Sequence, residues 1–398
     1  MLFILLFFIW PFLAFVLVLP SRVPRIVKML VVVGFTTVMG ANIYYVNVTG
    51  DAVRYAEHFR EDTTYGINIL DFISAGRIDV LHPLSNVFVG MFTRNPRVLL
   101  SLYGMLYGLL IFLSLDKAYC LIKDNYFVGV NKKHTPQTKE KSMFTIFIMV
   151  MMYFVNPMTH MGTFRYFFSV WLFFYGWLIY TKGNTRLGIC LMLITPLIHT
   201  SFAVPLLLFV IHMFVKIPTK MLFVGVILCF ILGNILYMQD YMHGISVISE
   251  SERYSGYLQE ETFEARIEMA ERMSIINVVS QFVSKYVFFG ILLYLHFVIN
   301  KFEFEGKNKV VSIYNFMLLY YCFAYLFMQV PSMVRYLVLA NMFLLYLVGI
   351  LFTKGLLRHK RILYSLISLA MVGQIYLSII PNNVSRFDLK YLYPIIYL

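Results

Sequence analysis

Long apolar segments constrain the fold of this chain more than any other feature. A helix needs about 20 mostly apolar residues to cross the hydrocarbon core of a bilayer. Segments of about that length can be placed at 2–19, 29–48, 98–115, 143–161, 166–181, 221–238, 275–299, 310–328, 336–353 and 362–380. Only 13% of the residues are charged, which is about half the share found in soluble domains. The sequence therefore predicts an all-α polytopic membrane protein, in which residues 1–398 form a single integral membrane domain and the first segment is retained as a span.

One further apolar stretch, 187–215, is too long for an ordinary span and contains Pro196. Basic residues flank both of its ends: Lys182, Arg186, Lys216 and Lys220. Because basic residues near span ends favour the cytoplasm, we interpret the stretch as a tight hairpin of two short helices, broken at Pro196. This hairpin brings the prediction to about twelve transmembrane helices.

Basic residues are divided unequally between the linkers. If the chain alternates across the membrane, one side holds the linkers 20–28, 116–142, 181–187, 216–220, 300–309 and 354–361. These linkers contain 20 of the 33 Lys and Arg residues and 5 of the 20 Asp and Glu residues, a net charge of +15, whereas the rest of the chain carries −2. We therefore predict that these linkers are cytoplasmic and that both termini face outward. The total charge of +13 then reflects topology, and no nucleic-acid partner is expected.

The two predicted sides also differ in the kind of basic residue. The cytoplasmic linkers contain 15 Lys and 5 Arg, whereas the outer side contains 11 Arg and 2 Lys. Arginine presents a planar fork that holds phosphate or carboxylate through two hydrogen bonds. An outward-facing anion site explains this bias, and chance combined with salt bridges to outer acidic residues explains it equally well.

Three predicted outer segments are large enough to hold a site. Residues 49–97 begin with a polar stretch and continue into the half-apolar segment 80–92, which is too short to span and is interpreted as re-entrant or interfacial. Residues 156–167 form a shorter loop. In 239–274, apolar residues recur at helical intervals between Glu and Arg, which predicts an amphipathic helix.

Motifs for nucleotide, metal or hydrolase chemistry do not occur in the chain. The sequence has no glycine-rich phosphate loop, no HExxH, no Cys/His cluster and no GxSxG. We therefore expect no metal and no cofactor. Ionisable residues at the ends of spans are the remaining candidates, because charged side chains are costly in a membrane and often mark functional sites there.

The first candidates follow the second predicted span. Asp51 precedes Arg54 and Tyr55 in a helical-looking segment. A carboxylate at Asp51 is able to take a proton from a sugar hydroxyl, and the alternative is that it caps the helix. Arg54 and Tyr55 are candidate substrate-binding residues.

Two Arg-Tyr pairs open apolar segments on the predicted outer side. They are Arg165-Tyr166 and Arg335-Tyr336. Topology favours arginine at cytoplasmic span ends, so it does not account for these two arginines. We predict that all four residues bind substrate.

Single histidines and one lysine complete the set of candidates. His199 lies at the tip of the hairpin, in TPLIHTSFAVP, where it either lines a cavity as a catalytic residue or ends a helix. Lys285 lies ten residues inside a predicted span, where it needs a partner or an aqueous cavity unless it snorkels outward. His82 and His160 are weaker candidates.

The order of these motifs resembles that of the EpsG-like, Wzy-type polymerases of bacterial surface polysaccharides, a class that includes the O-antigen polymerases. The resemblance covers about residues 40–350. It rests on Asp51-x-x-x-Tyr55 after an early span, Arg165 opening a later span, LMLITPLIHTSFAVP in a basic-flanked hairpin, and the late Arg335-Tyr336.

The resemblance implies a metal-independent membrane glycosyltransferase of the bacterial inner membrane, with an extracytoplasmic active face. Such enzymes move a growing glycan from undecaprenyl pyrophosphate onto a sugar hydroxyl of the next lipid-linked unit. Asp51 and His199 are then the expected catalytic residues, and arginine forks bind the pyrophosphate, where negative charge develops. The expected partners are undecaprenyl-pyrophosphate-linked oligosaccharide, membrane lipid and, as a further candidate, a chain-length regulator protein.

Two other functions stay open on the sequence alone. A lipid-linked oligosaccharide flippase or other transporter usually has repeated halves with matching broken helices, whereas this sequence has one broken hairpin and no duplicate. A membrane O-acyltransferase needs a catalytic histidine, and His199 is a candidate for that role.

Overall fold

A computed structural model describes residues 2–18, 21, 23–46, 51–66, 80–123, 146, 148, 150, 152, 163–235, 275–328, 335–357 and 360–379. These residues form helices and no strand, which confirms the all-α prediction. The chain packs as two compact units, the first built mainly from residues 1–126 and 130–206 and the second from residues 207–377. The predicted segment 143–161, apart from four residues, and the whole of loop 239–274 lie outside the described residues.

Helices of very different length build the first unit. They are α1 (Leu2–Ile9), α2 (Pro11–Val18), α3 (Arg25–Val46), α4 (Asp51–Tyr65), α5 (Leu81–Gly90), α6 (Pro96–Lys123), α7 (Phe164–Thr181) and α8 (Thr185–Ile198). A 3₁₀ turn, Thr200–Phe202, follows, and helix α9 (Ala203–Phe214) begins in this unit and continues into the second. The short helix α5 occupies the half-apolar segment 80–92.

Helices of the second unit follow α9 along the chain. They are α10 (Thr219–Ile235), α11 (Ile275–Lys301), α12 (Lys307–Leu326), α13 (Tyr336–Thr353) and α14 (Lys360–Ile379). Helix α13 is the centre of this unit, since 89% of its 18 residues are buried. The Tyr321 hydroxyl donates to Asn341 Oδ1 at 2.6 Å and joins α12 to α13.

Four helices among the described residues are long and apolar enough to cross a membrane. They are Arg25–Asn42, Pro96–Ile122, Lys307–Leu326 and Tyr336–Thr353. Shorter apolar helices of 10–17 residues occupy Thr185–Ile198, Thr200–Phe214 and Thr219–Ile235. The chain is therefore a membrane protein with several spans, and the total of twelve stays a prediction.

The predicted hairpin is present as two short helices, but its break is not at Pro196. Helix α8 continues through Pro196, and His199 ends it in an extended conformation (φ −148°, ψ 115°). Proline cannot donate the helical hydrogen bond to the carbonyl four residues earlier, which here belongs to Met192. The Thr195 hydroxyl donates to that carbonyl at 2.6 Å, and so the helix tolerates the proline.

Glycines allow the helices of the first unit to approach closely. A Cβ atom added at Gly104 would collide with the backbone carbonyl of Thr36 in α3, and one at Gly40 with the carbonyl of Leu100 in α6. Gly108, one turn after Gly104, faces the Thr36 hydroxyl in the same way. This GxxxG spacing is typical of closely packed membrane helices, and it fixes α6 against α3.

Candidate functional site

Polar side chains from four helices meet in the first unit. Helix α4 supplies Tyr55 and Asp62, α5 supplies His82, Ser85 and Asn86, α6 supplies Tyr103, and α7 supplies Arg165. We call these seven residues the polar cluster. It connects helices that are up to 110 residues apart in the sequence, so it depends on the tertiary fold.

Hydrogen bonds assign the proton positions around His82. The Ser85 hydroxyl donates to the His82 carbonyl at 2.7 Å, so its oxygen accepts the Tyr103 hydroxyl hydrogen at 2.6 Å. The Tyr103 oxygen in turn accepts from His82 Nδ1–H at 2.8 Å. His82 Nε2, which then carries no proton, accepts from the Asn86 amide at 3.4 Å. His82 is therefore a neutral imidazole protonated at Nδ1.

Electrostatics favour the same neutral state. Burial lowers the pKa of His82 from 6.5 to about 3, because the charged imidazolium is poorly solvated there, and electrostatic repulsion from Arg165 and His58 adds to the effect. At neutral pH, His82 therefore acts as a hydrogen-bonding residue. It is too weak a base to serve as an efficient general base, because its pKa lies far below neutral pH.

Asn86 links this network to a carboxylate. Its side-chain Nδ2 donates to Asp62 Oδ2 at 2.5 Å and also faces His82 Nε2. The flipped amide would point its oxygen at the carboxylate, so the network fixes the orientation of the amide. Asn86 is fully buried, and its Oδ1 has no hydrogen-bond partner among the described residues. Asp62, by contrast, is only partly buried.

Arg165 contacts Tyr55 across the cluster. Arg165 Nε donates to the Tyr55 hydroxyl at 3.2 Å, and its Cζ lies 5.3 Å from the centre of the Tyr55 ring. The preceding Phe164 stacks on Tyr103 at 4.4 Å, which positions the start of α7 against α6. The Tyr55 ring also lies 4.9 Å from His82. A hydrogen bond at Nε fixes the plane of the guanidinium, and bidentate recognition of phosphate requires a fixed plane.

His199 lies beside the same end of α7. Its ring meets the buried ring of Tyr166 edge to face at 5.3 Å, and its Nδ1 is 2.6 Å from the Ser201 hydroxyl. The backbone N–H of Val80 donates to the Leu197 carbonyl at 2.9 Å, which ties the start of α5 to the tip of the hairpin. The predicted residues Tyr55, Arg165, Tyr166 and His199 are thus neighbours in the first unit.

The structure describes fewer contacts for the other predicted site residues. Asp51 is the first residue of α4, but its side chain is outside the described part of the chain, and Arg54 is exposed on the same helix. Arg335 immediately precedes α13 in the second unit, and Tyr336 is buried against the rings of Tyr320 and Phe323. His160 lies outside the described residues.

Sequence reasoning missed most of the polar cluster. It singled out Tyr55 and Arg165, and His82 only weakly. A signal was present in α5, since His82, Ser85 and Asn86 are spaced i, i+3, i+4 and share one helix face. Within the described residues, no group of three or more His, Cys, Asp or Glu side chains is placed to hold a metal ion. The cluster is suited to binding an anion and hydroxyl groups.

Comparison with known proteins supplies the family. The sequence model of the EpsG family matches residues 27–392, nearly the whole chain. No curated protein and no solved structure matches this chain. The family predicted from the motif order is thereby confirmed: the chain belongs to the EpsG family, a family of Wzy-like polymerases.

Proposed function

We propose that this chain joins lipid-pyrophosphate-linked oligosaccharide units at the outer face of the bacterial inner membrane. In this reaction the growing glycan leaves its undecaprenyl pyrophosphate and is transferred to a hydroxyl of the next unit. One observation carries the proposal: Tyr55 and Arg165, predicted from separate motifs to bind substrate, form a hydrogen bond in a protein of the EpsG family.

Arg165 is the proposed contact for the leaving pyrophosphate. As the bond between the anomeric carbon and the pyrophosphate oxygen breaks, the electron pair leaves with the oxygen and negative charge develops there. A guanidinium held in one plane stabilises that charge without first reorganising. Tyr55 supplies the fixed plane by accepting the hydrogen bond from Nε.

A carboxylate on α4 is the proposed base. It removes the proton from the acceptor hydroxyl while the hydroxyl oxygen attacks the anomeric carbon. Asp51 is the residue expected from the family motif. Asp62 lies 11 residues later, about three turns or 17 Å along α4 on the same face. Asp62 is therefore a second candidate, and Asn86 holds its carboxylate in place.

The experiment that tests the polymerase function is a deletion strain complemented with wild-type or variant genes. The surface glycan is separated on a gel, and the protein level is measured in the membrane fraction. We expect the deletion to leave the anchor lipid carrying a single repeat unit, with the longer chains absent. Loss of single units as well as polymer from the surface would refute the polymerase function and favour a flippase.

Substitutions in the same strain identify the base and test His199. We expect one of Asp51→Asn and Asp62→Asn to abolish long chains while the protein stays in the membrane. We expect His199→Ala to reduce chain formation, and retention of activity in that variant would leave His199 as a helix-ending residue. Normal ladders in both Asp variants would exclude Asp51 and Asp62 as the base.

A further inference from the structure

Lys285 is a charged residue inside a long and mostly apolar helix of the second unit. It lies ten residues into α11, whose 27 residues contain one other lysine, Lys301 at the C-terminal end. Its Nζ donates to Asn234 Oδ1 near the end of α10, at 2.5 Å. Nζ also lies 5.7 Å from the centre of the Phe230 ring and 5.6 Å from that of Tyr286.

Asn234 is oriented to receive this lysine. Its Nδ2 donates to the Phe230 carbonyl one turn earlier in α10, at 2.5 Å, so the amide oxygen is directed away from its own helix. Phe230 is in turn held by Phe289, which stacks on it at 4.0 Å. The ammonium is therefore held by a neutral amide and two rings, in a fixed position between α10 and α11.

No carboxylate accompanies this ammonium within the described residues of the second unit. The acidic residues there are Glu303 and Glu305, which follow Lys285 by 18 and 20 residues. At 1.5 Å per residue, these positions lie about 27 Å or more further along α11 and the chain that follows it. The ammonium has three N–H donors, and the described residues accept one of them.

Helix lengths place the lysine near one boundary of the membrane. Asn234 lies 14 residues after Lys220, or about 21 Å along α10. If Lys220 marks one boundary of a hydrocarbon core about 30 Å thick, then Asn234 and Lys285 lie within about 10 Å of the opposite one. A lysine at that depth lies close to the headgroup level, where long basic side chains meet lipid phosphates.

We propose that Lys285, with Asn234 and Tyr286, forms a binding site for the phosphate of a membrane lipid. A charged group in an apolar bundle is costly unless it meets an opposite charge, and an anionic headgroup supplies that charge. Asn234 fixes the ammonium, and the partly exposed Tyr286 borders the site. The site does not depend on the proposed polymerase function, because any phosphate-bearing lipid provides the required chemistry.

The test uses the purified full chain in a neutral detergent. Thermal unfolding is followed by tryptophan fluorescence while farnesyl pyrophosphate, phosphatidylglycerol or inorganic pyrophosphate is titrated in. We expect at least one of them to raise the Tm of the wild type. Lys285→Gln should weaken the apparent affinity by roughly tenfold to a hundredfold, the value of one hydrogen bond to a charged group. Lys301→Gln, at the end of the same helix, is the matched control and should keep the wild-type affinity.

Asn234→Asp separates ligand binding from a structural role. It keeps the lysine and places a carboxylate beside it, so the ammonium is neutralised within the protein. We expect Asn234→Asp to keep or raise the basal Tm while the ligand-induced shift falls as in Lys285→Gln. This variant remains informative even if Lys285→Gln fails to fold.

The outcomes distinguish the source of the phosphate. A shift with farnesyl pyrophosphate alone identifies a polyprenyl carrier, and a shift with phosphatidylglycerol identifies a bulk phospholipid. A shift with inorganic pyrophosphate alone identifies a free anion and overturns the assignment to a lipid. The proposal is overturned if none of the three raises the Tm of the wild type, or if Asn234→Asp retains the full shift. The polymer ladder is a separate measurement, so failure of this site and failure of the polymerase function remain distinguishable.

Discussion

The two Arg-Tyr pairs have the same sequence pattern, and their tyrosines have different surroundings. Arg165 bonds the Tyr55 hydroxyl, and Tyr166 meets the His199 ring at 5.3 Å, so the first pair lies among polar groups. Tyr336 packs between the rings of Tyr320 and Phe323 at the start of the most buried helix of the second unit. A pattern of adjacent residues thus predicts where a helix begins, whereas residues from distant helices decide the chemistry at that point.

The strongest test of this comparison is replacement of each arginine by lysine. Lysine keeps the charge but loses the planar fork, so Arg165→Lys and Arg335→Lys should each slow polymerisation roughly ten- to a hundredfold if one charged hydrogen bond is lost in the transition state. Gel ladders of surface glycan and membrane protein levels measure this. Failure of Arg165→Lys alone would mean that the polar surroundings, not the Arg-Tyr pattern, are needed. Normal ladders in both variants would exclude a paired-arginine site.

A second test compares helix packing in the two units. Gly104→Ala places a methyl group against the Thr36 carbonyl, which is backbone and cannot move aside easily, so we expect a loss of about 1–3 kcal/mol in stability. A Cβ at Gly290 in α11 meets nothing within 4 Å, and Gly290→Ala should gain about 0.5–1 kcal/mol because alanine favours helix. Thermal unfolding in detergent measures both. Equal Tm values for the two variants would contradict the close contact of α3 with α6.

A third test concerns pH and the polar cluster. The pKa of His82 is lowered to about 3 in the folded chain, from 6.5. As pH falls below 6.5, the unfolded chain gains a proton that the folded chain does not, so stability decreases. The expected loss between pH 7 and pH 5 is about 2 kcal/mol. His82→Gln should flatten this dependence of Tm on pH, and an unchanged slope would show that His82 is not the group responsible.

The smallest expected effect concerns the orientation of Arg165. Tyr55→Phe keeps the ring and removes the hydroxyl that accepts from Arg165 Nε. Loss of one hydrogen bond of about 1 kcal/mol predicts a rate lower by roughly fivefold. Tyr65→Phe, at the end of the same helix and 87% exposed, is the control and should leave the rate unchanged. Equal rates for both variants would show that Tyr55 does not orient the arginine.

The local sequence pattern was sufficient to predict the two short helices of the hairpin, but it was insufficient to predict where the break between them lies. Apolar runs and basic flanks predicted the two short helices at 187–215, because both signals lie within a few turns of chain. The break was expected at Pro196 and occurs at His199. Pro196 has no N–H to donate to the Met192 carbonyl, and the Thr195 hydroxyl donates to that carbonyl instead. Compensation of this kind depends on a side-chain rotamer, which the residue pattern does not specify.

The sequence by itself determined that this chain is an all-α membrane protein of the EpsG family, because span length, charge and motif order are properties read along the chain. The tertiary structure decided which polar residues meet. Tyr55 and Arg165 are 110 residues apart, and Asn234 and Lys285 are 51 apart. Neither pairing has a local signal, because helices that pack as neighbours are brought together by apolar surfaces and small residues distributed over their whole length. Polar contacts between these helices follow from that packing.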